Sequence, residues 1–92
     1  MLEQEDADRV KRVLMEEFEL EEDVLRPQAS LYTDMGLDSL DSVDLVVALE
    51  REFKFKVVRA VDEERIRAIR TLEDLYGFIE TKRREAQANP GA

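Results

Sequence analysis

Apolar residues recur along this chain at helical spacing, and no stretch reads as a strand. Val10, Val13, Leu14 and Phe18 fall on one face of a segment from about Asp6 to Leu20, with charged residues over the rest, which predicts an amphipathic helix. A second helix is expected from near Ser39 to about Phe53, with Asp38 or Ser39 as its N-cap, since either side chain can accept from the free N–H groups of the first turn. A short third helix is expected over about Asp62 to Ile69. A fourth starts near Thr71, which can form a capping-box variant with Asp74, and Leu72, Leu75, Tyr76 and Ile79 make its apolar face. Val57 and Val58 are β-branched but too isolated to build a sheet.

Between the first two helices lies a long connection, roughly Glu21 to Asp38. Pro27 disfavours helix at Arg26, and Gly36 permits positive φ. Val24, Leu25, Leu31, Tyr32, Met35 and Leu37 are spread through it, so the loop should pack down on the core and include a short helical turn. Loops of this length without regular structure are often functional. The polar stretch ending in Asn-Pro-Gly-Ala reads as a frayed tail, giving one domain over residues 1–85 and a flexible tail over 86–92.

The second helix carries two apolar stripes. At roughly 100° per residue, Leu45, Val46, Leu49 and Phe53 share one side, while Leu40, Val43 and Val47 share nearly the opposite one. A small bundle has one core, and the bulkier stripe should take it because it buries more apolar area. Leu40, Val43 and Val47 are then left at least partly in water beside Asp41, Asp44 and Glu50. An exposed apolar strip bordered by charge suggests a binding surface; burial of both stripes, against the first helix and the loop, is the other outcome the pattern allows.

Charge sharpens this picture. The net charge of the 92 residues is −9, which argues against nucleic acid and for partners with basic docking patches. Residues 1–50 carry 15 acids and 4 bases, whereas residues 51–92 carry 8 acids and 10 bases. Cysteine and histidine are absent, so there is no disulfide framework, no thiolate or imidazole metal site and no histidine base for catalysis. No apolar run approaches the ~20 residues that span a bilayer, and the acidic start lacks a signal-peptide pattern, so a cytoplasmic location is expected.

Candidate chemistry concentrates at Ser39, in the run Asp34-Met35-Gly36-Leu37-Asp38-Ser39-Leu40-Asp41-Ser42-Val43-Asp44-Leu45. A helix N-terminus favours a phosphate, so a phosphodiester on Ser39 would sit in a favourable field. The plainer role of a serine here is that of a helix cap. Nucleophilic catalysis by Ser39 lacks a base: there is no histidine and no Gly-x-Ser-x-Gly elbow, and Lys11, Lys54, Lys56 and Lys82 all read as solvated. No catalytic residue and no metal site are therefore expected.

The segment from Val10 to Phe53 resembles bacterial type II acyl carrier proteins. The resemblance rests on Arg9-Val10-Lys11-Arg12-Val13-Leu14, on Ala29-Ser30-Leu31, on the extended run around Ser39, and on Ala48-Leu49-Glu50-Arg51-Glu52-Phe53. It implies an all-α four-helix bundle of three longer helices and one short one, whose interior can shelter an acyl chain. It implies that Ser39 accepts 4′-phosphopantetheine from coenzyme A, through a separate transferase with Mg²⁺, and that the arm then carries acyl groups as thioesters. Asp38, Asp41, Asp44 and Glu50 would meet basic patches of partner enzymes, and Leu40, Val43 and Val47 would supply apolar contacts. A monomer serving fatty acid, lipid or polyketide-like synthesis is implied, without nucleic-acid binding or membrane insertion. An aminoacyl or peptidyl carrier, and a non-covalent helical adaptor with Ser39 as a plain cap, are the alternatives.

The likeness loosens after Phe53. Lys54-Phe55-Lys56-Val57-Val58-Arg59-Ala60-Val61 stands where the family has an acidic stretch with an Ile-Pro pair, and it is longer by about one helical turn. Residues 51–70 hold 7 bases and 4 acids. Either this marks a specialised carrier with fewer partners, or it is drift in a tolerant loop.

Overall fold

The computed structural model describes residues 2–88, except for the side chains of Ser39, Arg59 and residues 86–88. It has four α-helices among the described residues: α1 (Gln4–Phe18), α2 (Ser39–Phe53), α3 (Arg59–Arg67) and α4 (Leu72–Ala88), with a 3₁₀ turn at Glu22–Val24. The bundle class is as expected, and α2 has the expected bounds. α1 starts two residues earlier than its apolar spacing suggested. α3 starts at Arg59 because the Asp62 carboxylate accepts from the Val58 N–H at 2.8 Å and opens the helix there. α4 continues to Ala88, into the polar stretch expected to fray, and the rest of that tail, residues 89–92, lies outside the described residues.

The core is built from the stripes the pattern assigned to it. Val10 and Leu14 of α1, Leu45 and Leu49 of α2, and Leu72, Leu75 and Ile79 of α4 are all buried, and Phe53 and Phe78 close the cluster. The first loop packs as its composition suggested: Leu25, Leu31, Met35 and Leu37 are buried, whereas Tyr32 stays exposed. Its backbone is clasped to the corner before α4. The Leu31 N–H donates to the Arg70 carbonyl (2.9 Å), the Leu72 N–H to that of Ala29 (3.1 Å) and the Glu73 N–H to that of Pro27 (2.8 Å), around a β-bridge between Ser30 and Thr71. These bonds satisfy backbone groups that a buried loop would otherwise leave unpaired. Gly36 takes φ +73°, the left-handed conformation the turn into α2 requires.

Polar contacts finish the packing. Arg9 donates to the Glu52 carboxylate (2.9 Å) and lies 4.5 Å from the centre of the Phe53 ring, with Arg83 stacked at 5.4 Å. Arg83 also pairs with the buried Asp6 at 3.1 Å, tying α4 to α1. Lys82, expected to be solvated, is instead 7% exposed and pairs at 2.8 Å with Asp62, which is 0% exposed. Its position on the inner side of α4 decides this, and a partner 20 residues away leaves no trace in local spacing.

Candidate functional site

α2 begins at Ser39 because the residues around it form a reciprocal cap. The Asp41 N–H donates to Asp38 Oδ1 at 2.8 Å, and the Asp38 N–H donates to Asp41 Oδ2 at 3.2 Å. The cap is therefore Asp38, not Ser39, and Asp41 completes a capping box. Ser39 is the first helical residue, placed between the two capping carboxylates in the chain. Its own side chain lies outside the described set. The Ser42 hydroxyl, one turn further on, is half-buried and donates to the Asp38 carbonyl at 3.2 Å.

The head of this helix has room for a bulky substituent. Gly36, Asp38 and Leu40 are all exposed around Ser39. The capping box uses the Asp41 N–H, and the N–H groups of Ser39 and Leu40 have no intrahelical acceptor by virtue of their position in the first turn. The electrostatics differ from those of a bare helix end. Two carboxylates already compensate the positive end of the dipole, so the field offered to a phosphodiester is weaker than the helix terminus alone suggests. A phosphate arm at this helix start would be held by its covalent tether more than by the helix field.

The two-stripe division of α2 holds. Leu45, Val46, Leu49 and Phe53 are buried, whereas Leu40, Val43 and Val47 are 74%, 60% and 43% exposed. The outcome with both stripes buried is overturned. Asp44 is exposed beside the strip, and Asp41 is half-buried in the capping box. Glu50 is also half-buried, and its carboxylate accepts the Val57 N–H at 2.8 Å, so it organises the turn into α3. The expected docking residues thus lie at the head of one helix and along it, but three of their carboxylates have structural duties, and those of Asp41 and Glu50 were not shown by sequence spacing.

Alongside the strip runs a groove of about 500 Å³ between α2 and α3. Val43, Val46 and Val47 form one bank, and Glu63, Ile66 and Arg67 the other. Tyr32 and Ser42 also line it, and Ser42 follows Ser39 by three residues in the chain. Deeper in, between Tyr32, Val46, Ile66 and Leu75, the packing leaves a void of only about 10 Å³. The α3 bank was not legible in the sequence, because Ile66 stands in a segment dominated by charge. Phe55 is buried and meets Phe78 edge-on at 6.2 Å, whereas Val58 and Val61 face outward.

Two bases of the basic segment are paired locally. Arg65 pairs with Asp62 (3.1 Å) and Glu85 (3.0 Å), and Arg67 with Glu63 (3.0 Å). Lys54, Lys56 and Arg70 are exposed. Among the described residues no group of carboxylates is placed to hold a metal ion, and no helix is long and apolar enough to cross a membrane.

A helical bundle whose second helix starts at a serine and carries an exposed apolar strip has the form of a carrier scaffold. The family model for the phosphopantetheine attachment site matches residues 8–79, and the chain belongs to that family. Members are non-catalytic carriers in which this domain is the site of covalent 4′-phosphopantetheine attachment. They are modified by phosphopantetheinyl transferases and interact with synthase enzymes. The match runs from within α1 to the first half of α4, so it covers the divergent segment after Phe53 as well as the serine run. It supports the carrier reading over that of a non-covalent adaptor.

Proposed function

We propose that Ser39 bears the phosphopantetheine arm and that the protein carries acyl groups on it as thioesters, in fatty acid, lipid or polyketide-like synthesis. The observation that carries this reading is the position of Ser39 as the first residue of α2, in Gly36-Leu37-Asp38-Ser39-Leu40, at the head of the exposed strip. The arm's thiol supplies the nucleophile that a chain without cysteine lacks. Ser42 is the weaker candidate, because its hydroxyl is half-buried and turned back to the Asp38 carbonyl. The Asp-Ser-Leu run, in place of Gly-Gly-x-Ser-Leu, favours an acyl over an aminoacyl or peptidyl cargo.

Asp38, Asp41, Asp44 and Glu50 give the docking face its charge in this reading, and Leu40, Val43 and Val47 its apolar contacts. The working unit is a monomeric domain over residues 1–85 in the cytoplasm, followed by a tail. The exposed bases Lys54, Lys56 and Arg70 narrow the set of partners by repelling the basic patches that an acidic carrier attracts.

The test is incubation with coenzyme A, Mg²⁺ and a broad-specificity phosphopantetheinyl transferase, read by intact mass. The wild-type chain gains one phosphopantetheine, and Ser39→Ala gains none while keeping its helical circular-dichroism spectrum. Loading of the alanine variant would move the attachment to Ser42.

A further inference from the structure

α3 is held to the body of the protein by charge more than by apolar packing. Among its described side chains, Asp62 alone is buried; Ile66 is half-buried, and Val61 points to solvent. Asp62 Oδ2 accepts from Lys82 Nζ at 2.8 Å and from the Val58 N–H at 2.8 Å, and Oδ1 accepts from Arg65 at 3.1 Å. Arg65 reaches on to Glu85 at 3.0 Å, and Lys82 lies 3.5 Å from the same carboxylate. This four-residue network fastens the start and middle of α3 to α4.

The same helix is one bank of the groove. Glu63, Ile66 and Arg67 face Val43, Val46 and Val47 across it. Moving α3 off α4 would break the Asp62–Lys82 and Arg65–Glu85 pairs and leave buried Asp62 with Arg65 and buried Lys82 with Glu85 as their remaining ionic partners, which is unfavourable for charges held out of water. The void behind the groove, about 10 Å³, holds at most one water, which needs about 10–15 Å³ on the same measure. A chain can enter the interior by this route only if α3 moves, and the network resists that movement.

Building on the Ser39 carrier reading, we propose that the buried Asp62–Lys82 pair is a specificity-determining clamp on the cargo. It fixes the spacing of α3 and α2, so that short acyl groups shelter in the surface groove while long alkyl chains are kept out of the interior and remain accessible to water and reagents.

The test uses Asp62→Asn/Lys82→Met in the full chain. Asparagine keeps an acceptor for the Val58 N–H, and methionine keeps the apolar stem of lysine, so the clamp is lost with no buried charge left unpaired. Wild type and variant are loaded from butyryl-, octanoyl- and dodecanoyl-coenzyme A by the transferase, and the rate of thioester cleavage by hydroxylamine is followed by intact mass. In the wild type the butyryl thioester is protected and the dodecanoyl thioester is cleaved as fast as free dodecanoyl-pantetheine. In the variant, dodecanoyl cleavage slows by about tenfold, as a shift of the α3 equilibrium toward an open state requires. An unchanged length profile, or full protection of dodecanoyl in the wild type, overturns the clamp. If circular dichroism shows the double variant unfolded, Arg65→Gln decides the matter from the exposed side of the network: slower dodecanoyl cleavage supports the clamp, and no change overturns it. Failure of the wild type to gain mass would count against the Ser39 carrier reading instead, so the two outcomes are distinguishable.

Discussion

Asp38 and Asp41 each bind the other's backbone N–H, at 2.8 and 3.2 Å, across the residue that starts α2. The pair fixes where the helix begins and therefore where Ser39 stands. Replacing a capping aspartate by alanine costs about 1 kcal/mol. Asp38→Ala should lower stability by that amount in urea unfolding, and Ser39→Ala, which removes no cap, by clearly less.

The same geometry separates docking charge from structural charge. Asp44 is exposed and takes no part in the cap, whereas Asp41 does. Asp44→Lys should slow phosphopantetheine loading at low salt, with the difference from wild type fading as salt rises, and leave stability within about 0.5 kcal/mol. Asp41→Lys should slow loading and also destabilise. Loading rates against ionic strength, set beside urea melts, check both; equal low-salt rates for Asp44→Lys and wild type would make that acid ordinary surface charge.

Leu49 and Phe53 are buried, whereas Val47 on the other stripe is largely exposed. Leu49→Ala and Phe53→Ala should each cost about 2–5 kcal/mol. Val47→Ala should stay within about 0.5 kcal/mol. Chemical denaturation of the three variants measures the difference directly.

Tyr76 offers a gain in stability. Its hydroxyl oxygen is buried with no hydrogen-bond partner among the described residues, and burial, reinforced by the charge of Asp8, raises its pKa above the usual tyrosine value. Removing an unsatisfied buried hydroxyl recovers about 1 kcal/mol or more of desolvation cost. Tyr76→Phe should therefore raise the melting temperature, and a lower one would show that the hydroxyl has found water.

Asp62 makes stability depend on pH at the acid end. Burial alone would raise its pKa, but the Lys82 hydrogen bond, the Val58 N–H and the charges of Lys82 and Arg65 outweigh it, holding the folded value below the ordinary 3.8. A carboxyl depressed on folding stabilises above its unfolded pKa and loses that contribution as pH falls through the folded one. Wild type should thus lose stability below about pH 4. Asp62→Asn/Lys82→Met should lose less over the same range, as measured by urea midpoints.

What could be read from the chain was what repeats at short range. The buried stripe of α2, its exposed counterpart, the Thr71–Asp74 cap and the positive φ of Gly36 all follow from spacing and residue type. The Asp74 N–H donates to the Thr71 hydroxyl at 3.1 Å, and Asp74 accepts in return from the Thr71 N–H at 3.2 Å. The burial of Lys82 depends on a contact between residues 20 apart, and the start of α3 on the bond from the Val58 N–H to Asp62. A lysine in a polar run looks solvated until its partner's position is known. Ser39, the proposed attachment point, was singled out by the extended run around it, which lies inside the family match over residues 8–79.

The backbone clasp between residues 27–31 and 70–73 bears on how this protein can be recombined with its relatives. Its two halves lie on either side of both the serine helix and the divergent basic segment, and they recognise each other through main-chain groups. A chimera that exchanges only residues 54–69 keeps both halves from one parent and inherits a matched frame. Junctions placed inside either half would join backbones that never evolved together, so the clasp marks the natural borders of an exchangeable cassette.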